Sequence, residues 1–274
     1  VQPVIHPASD NQLQQMTRDL PQSLLLAGEK GMWLLTVAKN IAGRELAAVL
    51  VPQDKKEQPD SESGTITVEM IRRLYDQTRA KHTSRQIIII DNADQMSRGA
   101  QNAFLKLLEE PAQHVHFILT SHNPGNLLAT IASRVQKITL QPITTEQTTA
   151  FLQRLGITDT KRLAQLQYIA AGLPAELQRL VDDESYFETR AEIVTDARDF
   201  LMADTYKKIT IIQKYQSDRE RVLQLLDSVM TVARRSLSAK PQQSLVSQLA
   251  NLLAVRERIA TNHNIRLQLM QFVL

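Results

Sequence analysis

The segment Gly28-Glu29-Lys30-Gly31-Met32-Trp33-Leu34-Leu35 follows a short apolar run, Ser23–Ala27, and leads into a helical pattern from Met32 to Ile41. A strand, a glycine-containing turn and a helix start are the setting of a phosphate cradle, whose working pattern is G-x-x-x-x-G-K-[ST]. There the loop amides surround phosphate oxygens, the lysine neutralises the β/γ charge and the hydroxyl holds magnesium. In this chain the second glycine falls on Trp33, the lysine on Leu34 and the hydroxyl on Leu35. The skeleton is present without the groups that compensate a triphosphate's charge. Lys30 is the nearby cation and stands in the wrong part of the loop.

A second constellation is Gln86–Ile90 followed by Asp91, Asn92 and Asp94. An aspartate at a strand end can support magnesium, and an acid after it can activate water. Asn92 stands in the second position, and a neutral amide accepts no proton, although it can position a water. Taken alone, Asp91 reads equally as a strand-end turn residue. Arg98, beside Ser97 at a helix start, reads either as a phosphate contact or as a solvated side chain.

These groups need elements to hold them. Four consecutive isoleucines, Ile87–Ile90, lack alternation, as a parallel strand covered on both faces requires. Leu46–Val51, Val115–Thr120 and Lys137–Leu140 are further strands. Val68–Lys81, Ser97–Glu110 and Leu127–Ser133 have helical spacing, and Lys55–Thr65 is a polar loop. Strands alternating with helices predict an α/β domain with a parallel sheet. After Pro142 the pattern becomes all-α. Helices are expected over 145–155, 159–171, 175–181, 186–203, 205–215, 218–238 and 241–274, with Asp182–Ser185 as a linker. The division expected is 1–141, 142–184 and 185–274.

Three ordered segments then carry a resemblance. Ala100-Gln101-Asn102-Ala103-Phe104-Leu105-Lys106-Leu107-Leu108-Glu109-Glu110-Pro111 resembles the AQNALLKxLEEP stretch of bacterial clamp-loader subunits of the AAA+ family. Leu119–Pro124, with His122 and Asn123, resembles the sensor-1 strand end. Ala132-Ser133-Arg134-Val135-Gln136 resembles the Ser-Arg-Cys motif, with Val135 in place of the cysteine. The resemblance covers roughly residues 1–180. It implies an AAA+ sheet domain with a degenerate P-loop, a small helical lid and a C-terminal helical collar.

It further implies a member with a dead ATP site and no intrinsic ATPase, working in a DNA polymerase III holoenzyme that loads a sliding clamp onto primed DNA. Arg134 would act in trans as an arginine finger for a neighbour. Gly28, Gly31, Leu34, Leu35, Asp91 and Asn92 would hold no nucleotide. ATP and magnesium would sit in gamma/tau-like ATPase subunits. A delta-like subunit, the clamp and primer–template DNA would be the other partners, with Arg98 facing DNA. Glu176 stands near where a sensor-2 arginine is expected. Gln101 reads as a helix-surface residue or as a coupler of the two sites. Two other readings remain open: an active AAA+ ATPase with an unusual P-loop, and a degenerate AAA+ adaptor outside replication.

Composition bounds the rest. The chain has 274 residues, 43% hydrophobic and 4% aromatic, so its cores are aliphatic. It has no cysteine, which excludes disulfides, thiolate catalysis and thiolate-bound zinc. No histidine pair has ligand spacing, so no metal is expected; His114 and His116 alternate and should face solvent. No apolar run nears the ~20 residues that cross a bilayer, so a cytoplasmic protein without membrane contact is expected. Net charge is +3, yet residues 205–274 hold 11 Lys and Arg against 4 Asp and Glu. That basic surplus fits nucleic acid, an acidic partner or a solvated helical face.

Overall fold

The computed structural model describes residues 2–61, 63–78, 84–239, 243–261 and 263–273. The first part is α/β. Helix α1 (Pro7–Arg18) precedes strand β1 (Ser23–Ala27), α2 (Leu34–Ala42), β2 (Leu46–Leu50), α3 (Val68–Thr78), β3 (Gln86–Ile90), α4 (Arg98–Glu109), β4 (Val115–Ser121), α5 (Ala129–Ala132) and β5 (Gln136–Thr139). The five strands form one parallel sheet in the order β2-β3-β4-β1-β5. The carboxyl ends of β1, β3 and β4 therefore lie side by side. In open parallel sheets this edge is where ligands bind.

The isoleucine run does what its lack of alternation predicts. Ile88 and Ile90 enter the core under α3 and α4, together with Leu25, Phe117 and Leu119. Ile87 and Ile89 enter the opposite core, with Leu24, Leu26 and Ile118 beneath α1 and α2. Both faces of the central strands are buried. Phe104 of α4 is fully buried and meets Phe117 edge-on at 5.3 Å.

Helix α1 was not expected from the sequence. Pro7 occupies its first turn, and His6 caps it by accepting the Ala8 N–H at Nδ1. It is mostly polar and is secured by Leu13 in the core and by Ser9 Oγ, which accepts the Gln141 N–H at 2.9 Å.

The remaining elements are helices: α6 (Thr145–Arg154), α7 (Thr160–Ala170), α8 (Pro174–Asp182), α9 (Glu184–Met202), α10 (Thr205–Tyr215), α11 (Arg219–Ala239), α12 (Gln243–Ala260) and α13 (Ile265–Val273). The chain divides into two compact units. One comprises 1–159 with 172–178, the other 160–171 with 179–274. The second unit has its own core, including Ile193, Phe200, Tyr215, Leu225 and Ile259.

Two expectations are corrected here. Asp182–Ser185 is not a linker: α8 runs to Asp182, and Asp183 caps α9 by accepting the Tyr186 N–H at 3.0 Å. Asp183 and Glu184 serve a helix start, where the helix dipole favours negative charge. The helix expected over 241–274 is broken between Ala260 and Ile265, where Asn264 Oδ1 accepts the Leu267 N–H at 3.0 Å and starts α13. Residues 79–81, 241–242 and 274 of the expected helices lie outside the described residues. His116 also differs from expectation: it is half-buried, with Nδ1 3.0 Å from Pro21 O.

Candidate functional site

The loop between β1 and α2 is closed on itself. The Gly28 N–H donates to Ser121 O, Met32 N–H to Glu29 O at 3.1 Å and Leu34 N–H to Met32 O at 2.8 Å. In a phosphate cradle such amides point at the ligand. Here the amides of Gly28, Met32 and Leu34 are taken by backbone carbonyls. Leu34 and Met32 are buried and fold back over Gly28: a methyl there would stand 3.1 Å from Leu34 Cδ2 and 3.3 Å from Met32 Cγ. Hydrocarbon fills the hollow against the first glycine.

Gly31 has φ +92°, a conformation that favours glycine, and its carbonyl accepts the Ala175 N–H at 2.8 Å. The first turn of α8 thus lies against the loop, with Glu176 Cβ beside Gly31. Trp33 turns to α6, where it meets Phe151 edge-on at 5.5 Å. Lys30 is exposed and forms no ion pair among the described residues.

The far side of the cleft is built by β3 and β4. Asp91 is buried at the end of β3, and Thr120 Oγ1 donates to its Oδ1 at 2.7 Å. The Asn92 N–H donates in turn to Thr120 Oγ1 at 2.9 Å. Asn92 has φ 49° and ψ 52°. That left-handed conformation suits asparagine better than most side chains, so Asn92 has a backbone reason to be there. His122 closes the ring: its N–H donates to Asp94 Oδ1 at 3.2 Å, and its Nδ1 lies 2.9 Å from Gly28 O. Facing a carbonyl, that nitrogen must carry the proton. His122 clasps the loop.

Leu34, Leu35, Asp91 and Asn92 therefore line one cleft of about 220 Å³, as the sequence spacing requires. Thr36 and Ser61 line it too, and neither was singled out from the sequence. Ser61 arrives from the loop between β2 and α3, and no spacing rule signals it. No lysine or arginine among the described residues lines this cleft.

Arg134 and Arg98 lie elsewhere. The short helix α5 ends at Ser133, whose Oγ donates to Thr130 O at 3.1 Å. Arg134 follows, with one guanidinium nitrogen donating to Thr130 O and the other to Glu109 Oε1, both at 2.9 Å. Its side chain remains 38% exposed, so the fork is oriented but still reachable. An exposed ion pair of this kind contributes about 0–1 kcal/mol and is readily exchanged for a stronger anion.

Gln101 is not on the helix surface; it is buried. Its Nε2 donates to Met96 O at 3.2 Å and Asn126 O at 3.1 Å, while its Oε1 accepts the Leu128 N–H at 2.7 Å. It ties α4 to the segment that starts α5 and so helps place Arg134. Arg98 is exposed at the first turn of α4, capped by Ser97 Oγ, and makes no ion pair among the described residues.

Comparison with known proteins places this geometry. Residues 49–144 match the family model described as DNA polymerase III, delta subunit. The chain is 27% identical over 213 residues to DNA polymerase III subunit delta' of Yersinia pestis, covering 72% of this chain and 61% of that protein. It is 25% identical over 210 residues to the Bacillus subtilis subunit delta', covering 66% and 63%. The chain thus spans about three fifths of the length of these relatives. Among solved structures, a RuvB mutant of Thermotoga maritima superposes with a TM-score of 0.52 at 14% identity, covering 98% of this chain and 88% of that one. That likeness speaks for the fold alone. No helix among the described residues is long and apolar enough to cross a membrane. With a five-stranded parallel sheet followed by helices, and with subunits delta' matching 72% and 66% of its length, the chain is similar to DNA polymerase III delta' subunits.

Proposed function

We propose that this chain is a non-hydrolysing clamp-loader subunit that supports ATP-dependent loading of a sliding clamp and lends Arg134 to the ATP site of an adjacent subunit. The observation that carries this reading is the contrast between its two candidate sites. Met32 and Leu34 pack against Gly28 at the Gly28–Leu35 cleft, which no cation among the described residues lines, while Arg134 is oriented and partly exposed. A triphosphate in the cleft would meet Asp91 with no compensating lysine. An arginine delivered to a neighbour's γ-phosphate can contribute about 10³–10⁵ in rate.

The helical unit supports a role in assembly. Val246 and Leu253, two turns apart on α12, are both exposed, and so is Leu267 of α13. Seven-residue spacing puts the first two on one helix face, where another subunit could cover them. The partners proposed are gamma/tau-like ATPase subunits and a delta-like subunit, with clamp and primer–template DNA met through the whole complex. Arg98, exposed at a helix start, is proposed as a DNA contact. ATP and magnesium are proposed to reside in the neighbouring subunits.

Reconstitution with the gamma/tau-like and delta-like subunits tests this. Arg134→Ala should leave assembly intact and reduce turnover at the neighbouring site by roughly 10³-fold. Unchanged turnover would reject the finger, and lost assembly would make Arg134 structural. Micromolar, magnesium-dependent ATP binding by this chain alone would overturn the inactive reading.

A further inference from the structure

A groove of about 380 Å³ runs between α7 and α9, wholly within the helical unit. On α7 its wall is Lys161, Ala164 and Tyr168; on α9 it is Ala191, Val194 and Arg198. Each set steps by three or four residues, so each is one face of its helix over two turns, about 10 Å. The alanines keep the floor deep, and Val194 makes it apolar.

Tyr168 is 41% exposed, which is unusual for a large ring in this chain. It is nevertheless held: the Arg235 guanidinium lies 4.9 Å from its ring centroid and donates to its carbonyl at 2.7 Å. A fixed, accessible aromatic at the edge of an apolar groove is the kind of residue that dominates binding energy at interfaces.

Charge selects the occupant. The only charged residues lining the groove are Lys161 and Arg198, and neither forms an ion pair among the described residues. Elsewhere in the same unit Arg162 holds Glu184, Lys214 holds Glu192 and Asp196, Arg221 holds Glu192, and Arg256 holds Asp227. Two cations thus stand at the groove without an ion-pair partner among the described residues. We infer that this groove docks an acidic, amphipathic segment of a partner protein, with apolar side chains against Tyr168 and Val194 and carboxylates at Lys161 and Arg198. Two cations around an apolar floor suit such a peptide better than a nucleic-acid backbone, which needs a basic track.

Selection of displayed random 12-residue peptides against the full chain tests the inference, with the recovered peptides measured by fluorescence anisotropy. The expected result is a consensus pairing acids with Leu, Phe or Trp. Ala164→Trp, which fills the groove from an exposed position, should weaken binding at least 10-fold. Lys161→Glu with Arg198→Glu should do the same, and lysine-for-acid peptides should recover binding to that double variant only. Both variants should keep the wild-type melting temperature. A basic consensus, or binding indifferent to both variants, would overturn the proposal. Displacement of the peptides by single-stranded DNA at low micromolar concentration would reassign the groove to nucleic acid.

Discussion

The backbone N–H of Leu128 donates to Oε1 of the buried Gln101 at 2.7 Å, so the helix before β4 and the short helix after it are joined by one side chain. The other end of that amide holds Met96 O and Asn126 O. Gln101→Leu would leave these groups without their partner in a dry site, costing about 1–3 kcal/mol. It should also blur the position of Arg134. In the reconstituted complex the expected outcome is reduced ATP turnover with assembly retained. Chemical denaturation and steady-state turnover check the two parts separately.

Restoring the motif lysine should not restore a nucleotide site. Leu34 is buried in an aliphatic core beneath Gly28. Leu34→Lys would replace that packing with an ammonium; the carboxylate sharing the cleft, Asp91, is already engaged by Thr120 Oγ1, so the change should destabilise the chain by on the order of 3 kcal/mol or force the lysine neutral. Thermal melting should fall, and calorimetry with magnesium-ATP should show no binding. Micromolar binding by this variant would mean that the loop opens readily.

The Phe104–Phe117 contact holds α4 on the sheet. Both rings are fully buried and meet edge-on at 5.3 Å. Phe104→Ala should destabilise the α/β unit by about 3–5 kcal/mol. Hydrogen exchange should then show lost protection in β4 and α4 and little change in α11.

Alkali should act on the helical unit. Tyr215 is fully buried, and its hydroxyl donates to Asp196 at 2.5 Å. Burial first, then the hydrogen bond and charge of Asp196, push its pKa well above the ordinary 10.0. Lys214 is also raised: burial opposes this, but Asp196 and Glu192 outweigh it. Both groups bind their protons more tightly folded than unfolded. Their contribution is therefore fully present below about pH 10, the ordinary range of both groups, and is lost as pH rises further. Melting temperature should be flat from pH 7 to about 9 and fall steeply above about 10. Tyr215→Phe should lower stability by about 1 kcal/mol at neutral pH and make the alkaline fall shallower.

The strands, and the absence of the motif lysine and hydroxyl, can be read from residue order alone. Ile87–Ile90 could only be a strand covered on both faces, because an unbroken β-branched run has no polar side to give to water. Leu34 and Leu35 in the lysine and hydroxyl positions removed charge compensation whatever the fold, because no packing turns a hydrocarbon into a cation. The register from Ala100 to Pro111 and the Ser133-Arg134 pair were likewise readable, since they are local patterns.

Other features of the fold depend on partners far away in the chain. Helix α1 is polar on average and stands on His6, Leu13 and a bond from Gln141 to Ser9. Gln101 reads as a surface residue until the segment 126–128 is folded over it. The loop at Gly28 was legible as lacking the motif lysine and hydroxyl but not as held to Ser121, His122 and Ala175. Closure needs Ser121, His122 and Ala175, between roughly 90 and 150 residues downstream, to bring their hydrogen-bonding groups to it. Side-chain spacing records which face of an element is apolar; it does not record which distant backbone group will arrive there, and that pairing set the shape of this site.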